Sequence, residues 1–275
     1  MIDDLPLISI VIPTYLRSDN VVKCVECIEK SFRNIPKEIL IVDNDYFSGE
    51  LKEILKSKLS TRFKYLAGSP ICTTESSVNI GLENAIGEYI WVLGDDDYPQ
   101  FCPDDFLNSI SNWPDFVAIG TNVKSFESLS KKFDLLPLTI KKILITFNIN
   151  LELGFISTFA FRRKHIGNAD LCKHYGQLAF LKFNLDMLNK AKLISIWRGD
   201  NISINNTPST MGDEQYFAVF VKDLALVCRR YKVMLISVIV FNRSSRVTFE
   251  SYGNIIELLI IYNYRIKNFI KRIFK

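Results

Sequence analysis

Three consecutive carboxylates, Asp95, Asp96 and Asp97, stand at the end of the apolar run Tyr89-Ile90-Trp91-Val92-Leu93, separated from it only by Gly94. Adjacent like charges raise one another's free energy unless solvent or a cation intervenes. A solvated acidic turn is one resolution and a divalent metal is the other. Magnesium and manganese prefer oxygen ligands and need only one or two protein carboxylates, the remaining positions going to water and phosphates. A second polar cluster, Asp43-Asn44-Asp45, closes another apolar run, Glu38 to Val42. Two such clusters at the ends of apolar runs, with Gly94 allowing close backbone approach, favour a polar site on a rigid sheet.

The elements that must carry these residues read as alternating strands and helices. Leu7 to Tyr15 is a β-branched run ended by Pro13, a buried strand leading into a loop. A helix follows, with Ser18 and Asp19 supplying N-cap chemistry and Val21, Val22, Val25, Ile28 and Phe32 at helical spacing. Glu38 to Val42 is the second strand, Leu51 to Leu59 an amphipathic helix, Phe63 to Leu66 a third strand, Ser76 to Ile86 a helix, and Glu88 to Leu93 a fourth strand. This β-α-β-α-β order predicts a parallel sheet covered by helices, and such sheets bind ligands beyond the carboxyl ends of their strands. Further along, a helix over Asp104 to Ile110, strands over Phe116 to Gly120 and Gly154 to Arg162, and helices over Tyr175 to Ala191 and Phe217 to Tyr231 are expected, with Val233 to Phe241 a buried strand or helix. The stretch from Ser125 to Ile149 has no clear periodicity.

Composition narrows the class. A chain of 275 residues that is 48% hydrophobic can bury a large core, and a net charge of +4 does not imply a nucleic-acid partner. Cysteines 24, 27, 72, 102, 172 and 228 are too scattered for a disulfide framework, which points to a reducing cytosol. Cys24 and Cys27 make a C-x-x-C, but without a second pair and within a helical pattern they read as small packing residues rather than a zinc or redox site. The opening Met1-Ile2-Asp3-Asp4 lacks the features of a signal peptide, and no run reaches the roughly 18 apolar residues of a membrane span.

Taken together, Pro13-Thr14-Tyr15, Ile41-Val42-Asp43-Asn44-Asp45, Asn79-Ile80-Gly81, Ala85-Ile86-Gly87-Glu88-Tyr89-Ile90 and Leu93-Gly94-Asp95-Asp96-Asp97 resemble the inverting family 2 glycosyltransferases over residues 7 to 105. The resemblance implies the GT-A fold, a Rossmann-like, mostly parallel α/β sheet flanked by helices, here with a helical C-terminal extension. It implies a nucleotide-sugar donor, Mn2+ or Mg2+, and an acidic D-x-D motif. Pro13, Thr14 and Tyr15 would belong to the donor-binding turn, with Thr14 and Tyr15 flanking base and ribose. Asp43 would accept a hydrogen bond from the base, and Asn79 would lie near the donor phosphate or ribose. Asp97 would be the main metal ligand, with Asp95 or Asp96 reaching the ribose or a metal-bound water. Gly94 replaces the first acid of many members, so both Asp95 and Asp96 stand for that second role, and Asp95 for the second metal position.

A sugar nucleotide leaves as a diphosphate, so negative charge grows on the leaving oxygen while the sugar becomes oxocarbenium-like. Direct displacement also needs a base for the acceptor hydroxyl. Members of the family commonly carry a Glu-Asp pair at the helix after the strand over Gly154 to Arg162, where this chain reads Lys173-His174-Tyr175-Gly176-Gln177. His174, an imidazole able to accept a proton near neutral pH, and Asp213, in Thr210-Met211-Gly212-Asp213-Glu214, are the candidate bases. Asp213 and Glu214 equally suit the cap of a following helix. A nucleotidyltransferase could use a metal-bound acidic strand end too, although no P-loop and no G-x-G-x-x-G occurs, and a non-catalytic carbohydrate-binding module could do without the base.

These readings divide the chain into a donor-binding part over 1–122, an acceptor-binding part over 123–250 and a basic amphipathic segment over 251–275. In that last segment Arg265, Lys267, Lys271, Arg272 and Lys275 interleave with Ile266, Phe269, Ile270, Ile273 and Phe274. Such a segment lies on anionic membranes or docks as a helix on its own domain. With the resemblance, it suggests a cytoplasmic enzyme peripheral at the inner face of the plasma membrane, acting on a glycan or polyprenyl-linked acceptor in surface polysaccharide synthesis.

Overall fold

The computed structural model describes residues 5–59, 62–68, 74–121, 133–139, 141–142, 145, 156–166 and 179–204. Three β-α units open the chain: β1 (Ile8–Thr14) and α1 (Ser18–Ser31), β2 (Lys37–Asp43) and α2 (Glu50–Lys58), β3 (Lys64–Ala67) and α3 (Thr74–Asn84). Then come β4 (Tyr89–Val92), β5 (Asp97–Pro99), α4 (Pro103–Ser109), β6 (Phe116–Thr121), β7 (Phe159–Arg162), α5 (Ala179–Lys190) and β8 (Ile194–Ile204). Short 3-10 turns occupy Phe133–Leu135, Ile156–Thr158 and Arg163–His165.

The described strands form one sheet in the order β3-β2-β1-β4-β7-β6-β8-β5. β1 pairs in parallel with β2 and β4, β2 with β3, and β6 with β8, whereas β7 runs antiparallel to both β4 and β6, and β5 antiparallel to β8. The carboxyl ends of β1, β2, β4, β6 and β8 therefore share one edge. This is the mostly parallel α/β sheet flanked by helices that the alternating pattern predicts.

Both faces of the sheet are covered, as continuous apolar runs require. Along β1 the period of two sends Ile8, Ile10 and Ile12 into a core shared with Val21, Val25, Ile28 and Phe32 of α1, Leu55 of α2 and Phe106 of α4. Val11 points the other way, against Val78 and Leu82 of α3, in a core that also takes Phe116, Phe159, Phe161, Phe183 and Leu188. α3 comes so close to β1 at Gly81 that a Cβ there would lie 2.1 Å from Val11 Cγ1. That contact fixes the height of α3 over the sheet, and with it the placement of Asn79.

Two local expectations are corrected, and one strand is added. α1 starts at Ser18 with Arg17 as its N-cap and no side-chain capping bond, because Asp19 pairs instead with Lys58 at 3.2 Å and Arg17 reaches toward the acidic loop. The strand expected over Gly154 to Arg162 is shorter: Ile156–Thr158 forms a 3-10 turn and β7 begins at Phe159. β8, for which Arg198-Gly199-Asp200-Asn201 gave no strand signal, runs through that polar stretch as an irregularity, with the register to β6 shifting between Ile119 and Thr121 and Gly199 at φ 102°. Among the described residues no helix is long and apolar enough to cross a membrane.

Candidate active site

The edge at the carboxyl ends of β1, β2 and β4 collects the polar residues singled out above. β1 ends at Thr14, which is buried, and its hydroxyl donates to Asp95 Oδ2 at 2.7 Å. Beyond it Tyr15 is half exposed at the mouth of the edge, and Leu16 turns the chain at φ 54°. Arg17 then returns across the acidic loop, with one guanidinium nitrogen, Nη1, 3.1 Å from Asp95 Oδ1 and 3.1 Å from Asp96 Oδ2. Four residues are thereby joined: Thr14 at the end of β1, Arg17 just beyond it, and Asp95 and Asp96 after β4.

Asp95 is only 5% exposed. Burial pushes its carboxyl above the usual range, the hydrogen bond from Thr14 and the charge of Arg17 oppose the shift, and the neighbouring Asp96 adds to it. Its negative charge is thus disfavoured by the fold and compensated by one cation held in place.

Asp97 opens β5. Its Oδ2 accepts a short hydrogen bond from Ser157, which in turn accepts the Gly94 N–H at 2.8 Å. The Ser157 carbonyl accepts Trp91 Nε1 at 2.7 Å, so the 3-10 turn before β7 is anchored to β4 and to the acidic loop at once. A Cβ on Gly94 would lie 2.9 Å from Asp97 Oδ2, so the bare α-carbon is what lets this carboxylate fold over the loop. Underneath, the fully buried Cys24 of α1 places its sulfur 3.5 Å from the Asp97 carbonyl, where its thiol serves as a weak donor. Burial first, and then the charge of Asp95, push that thiol well above its ordinary pKa, which fits a packing residue rather than a reactive or zinc-binding one.

The second cluster is equally built. Asp43, 1% exposed at the end of β2, accepts the Asp45 N–H at 2.9 Å on Oδ1 and the Tyr65 hydroxyl at 2.6 Å on Oδ2. Burial, and then the bond to and charge of Asp43, raise the Tyr65 phenol above its ordinary value and keep it a donor. Asn44 donates its N–H to the Thr14 carbonyl at 3.0 Å and accepts from Ser77 of α3 at 2.5 Å, tying β1, β2 and α3 at this edge. Asn79 is half-buried on α3, two residues beyond Ser77. Tyr46 and Phe47 follow with ring centroids 4.0 Å apart, Phe47 being largely exposed.

The structure thus brings Pro13, Thr14, Tyr15, Asp43, Asp95, Asp96 and Asp97 to one edge of the sheet, while Asn79 lies on α3, the helix that Ser77 ties to that edge. His174, Asp213, Glu214 and the segment 251–275 lie outside the described residues. Three site neighbours escaped the sequence reading: Arg17, Tyr65 and Ser157. Arg17 left a signal, a basic residue in the loop after β1 that has to face an acidic cluster on the neighbouring strand. Tyr65 and Ser157 left none, since each meets its carboxylate through sheet order and not through spacing.

No group of three acidic, histidine or cysteine side chains converges among the described residues. Yet Asp95 and Asp97 are buried and carry hard oxygen ligands on one short loop, and Asp95 already accepts one cation, the Arg17 guanidinium. That suits Mg2+ or Mn2+, which complete their shells with phosphate and water.

The model of glycosyl transferase family 2 matches residues 9–174, more than half of the 275-residue chain. The chain belongs to that family. The fold is GT-A, and solved structures agree with it at that level. A mannosyltransferase from Pyrobaculum calidifontis, PcManGT, in complex with GDP-Man and Mn2+, superposes with a TM-score of 0.59 at 12% identity, covering 82% of this chain and 64% of its own. Residues 1–349 of TarS from S. aureus give 0.54 at 16% identity, covering 81% and 64%. Their complex with UDP-GlcNAc gives 0.52 at 16%, covering 80% and 66%. The chain spans 39% of the longer TarS structure. No curated protein sequence matches it.

Proposed function

We propose that this family 2 member is a metal-dependent, inverting glycosyltransferase that moves a sugar from a nucleotide-sugar donor to a hydroxyl of a glycan or polyprenyl-linked acceptor during surface polysaccharide synthesis. The observation that carries the reading is the buried Asp95, set by Thr14 and neutralised by a side-chain cation at the carboxyl edge of a parallel sheet. That is where an open α/β sheet receives a nucleotide. The fold-level neighbours support it, two of them carrying UDP-GlcNAc and GDP-Man with Mn2+.

In this reading Pro13, Thr14 and Tyr15 line the base and ribose, and Asp43 faces the base. The two protein donors already on the Asp43 oxygens fix the carboxylate's plane, and each oxygen retains lone-pair capacity. Asn79 faces the phosphates or ribose. Asp95 and Asp97 would hold Mn2+ or Mg2+, with Asp96 toward the ribose or a metal-bound water. The metal supplies Lewis-acid stabilisation of the departing diphosphate. Ser157 keeps Asp97 aimed, and Thr14 keeps Asp95 aimed, before any donor arrives. His174 or Asp213 takes the proton of the acceptor hydroxyl. The parts 1–122 and 123–250 serve donor and acceptor, and the basic segment 251–275 holds the enzyme at the inner face of the plasma membrane.

The test is a panel of UDP-, GDP- and CDP-sugars and the matching nucleoside triphosphates, with hydrolysis followed with and without Mn2+. One nucleotide sugar should be hydrolysed only with metal present. A preference for a nucleoside triphosphate would instead indicate a nucleotidyltransferase, and no nucleotide binding at all a carbohydrate-binding module.

A further inference from the structure

Arg17 is the cation that the acidic loop holds in this structure, and how it is held is informative. Both of its bonds to Asp95 and Asp96 leave from the same nitrogen, Nη1, at 3.1 Å each. Arg–carboxylate pairs frequently use the two-pronged geometry of the guanidinium, which this one does not. The Arg17 side chain also remains 39% exposed, while that of Asp95 is 7% exposed. Asp95 keeps a second anchor, the Thr14 hydroxyl on its other oxygen, which remains when Arg17 leaves.

The backbone supports a functional placement. Leu16 sits at φ 54°, in the left-handed region that a branched, non-glycine residue adopts at a cost, and the residue is 65% exposed. No burial of Leu16 offsets that cost. What the turn achieves is to bring Arg17 back over the loop, and residues held in such conformations cluster at sites where the geometry is used.

We propose that Arg17 is an exchangeable counter-ion that makes metal binding conditional on the nucleoside diphosphate. Before the donor arrives, a dication approaching Asp95 meets a guanidinium already seated there, and the two positive charges repel. A diphosphate offers the guanidinium a better anion. When Arg17 transfers to the phosphate oxygens, Asp95 is released to the metal, still aimed by Thr14. The metal and the diphosphate therefore bind together, and the enzyme does not sequester free metal at an empty site. By linkage the diphosphate must raise metal affinity by the same factor as the metal raises diphosphate affinity, a factor typically about 5- to 150-fold.

The inference rests on the metal-dependent reading above, and the experiment separates the two. Free Mn2+ is measured by electron paramagnetic resonance during titration of the full chain, alone and with UDP, GDP or CDP, for the wild type, Arg17→Ala and Arg17→Lys. The wild type should bind Mn2+ weakly alone and at least about fivefold more tightly with one nucleoside diphosphate. Arg17→Ala should bind Mn2+ alone more tightly than the wild type, and its coupling should fall toward one. Arg17→Lys keeps the charge without the fork and should lie between. Arg17→Met, which keeps the stem, replaces the alanine variant if thermal melting shows that variant unfolded. Unchanged or weaker Mn2+ binding by the alanine or methionine variant, or full wild-type coupling in it, overturns this role of Arg17 alone. A wild type that takes up no Mn2+ with any of the three diphosphates overturns the metal-dependent reading and this one with it.

Discussion

Ser157→Ala tests whether the 3-10 turn before β7 is part of the site. The hydroxyl is fully buried and serves two neighbours at once, accepting the Gly94 N–H at 2.8 Å and donating to Asp97 Oδ2. A net contribution of about 1 kcal/mol for the neutral bond and about 1.5–3 for the bond to a carboxylate gives a combined loss of about 2.5–4 kcal/mol. The two bonds share one oxygen, so the sum is an upper range and about 3 kcal/mol is a reasonable centre. At about 2–4 °C per kcal/mol for a domain of this size, thermal unfolding should move down by about 6–12 °C. Asp97 would also lose the donor that aims it, and misplacement of a catalytic group by about 1 Å can cost up to 100-fold in rate. Donor hydrolysis per folded molecule should therefore fall by about 10- to 100-fold. Circular dichroism melts and hydrolysis assays on the same preparation measure both. A melting temperature within about 2 °C of wild type, with undiminished hydrolysis, would refute the reasoning that Ser157 holds Asp97.

Asp95→Asn should abolish donor hydrolysis yet raise the melting temperature at pH 7. Burial raises the folded-state pKa of this carboxyl, so the fold loses stability as pH climbs through that value, and the neutral amide removes the loss. Melts across pH should show the gain vanish below about pH 4, where Asp95 is neutral in both states. Asp115 works in the opposite sense. Burial would raise its carboxyl, but hydrogen bonds from His165 at 2.6 Å, the Lys192 N–H, Lys164 and the Leu193 N–H hold it well below the usual range, pinning β6, β7 and β8 together at the edge opposite the site. Its contribution is present above about pH 4 and fades as the pH falls further, so Asp115→Asn should lower the melting temperature at pH 7 and flatten the acid limb. Removing residues 263–275 should weaken binding to anionic liposomes in a flotation assay while donor hydrolysis survives, and unchanged binding would favour a helix docked on its own domain.

How much of this was legible in the chain depends on how each element is stabilised. β1, β2 and β4 are buried on both faces, so each reads as an unbroken apolar run, and their polar ends mark Thr14, Asp43 and Asp95 directly. Turn chemistry and helix spacing likewise gave α1, α2, α3 and α4. β8 was hidden because an irregularity in the middle of a strand needs Gly199 and exposed Arg198 and Asp200, which resemble a loop when read alone. The start of β7 was overestimated because the backbone at Ser157 serves Trp91 and the acidic loop rather than a strand ladder. Arg17 lies 78 positions from Asp95 and Ser157 lies 60 from Asp97, and separations of that kind become contacts only once the order β1-β4-β7 is known. Local pattern therefore gave the position of the site, while its second layer of contacts came from sheet topology.

The central claim is that a metal at Asp97 carries the charge of the departing diphosphate, and it is tested most directly by nucleoside diphosphate release from the preferred nucleotide sugar, measured against Mn2+ concentration for the wild type and Asp97→Ala. The account predicts release that rises saturably with Mn2+ in the wild type and is lost at every Mn2+ concentration in the variant, with the variant still folded by circular dichroism. Release by Asp97→Ala at near wild-type rates, with the same dependence on Mn2+, would contradict it.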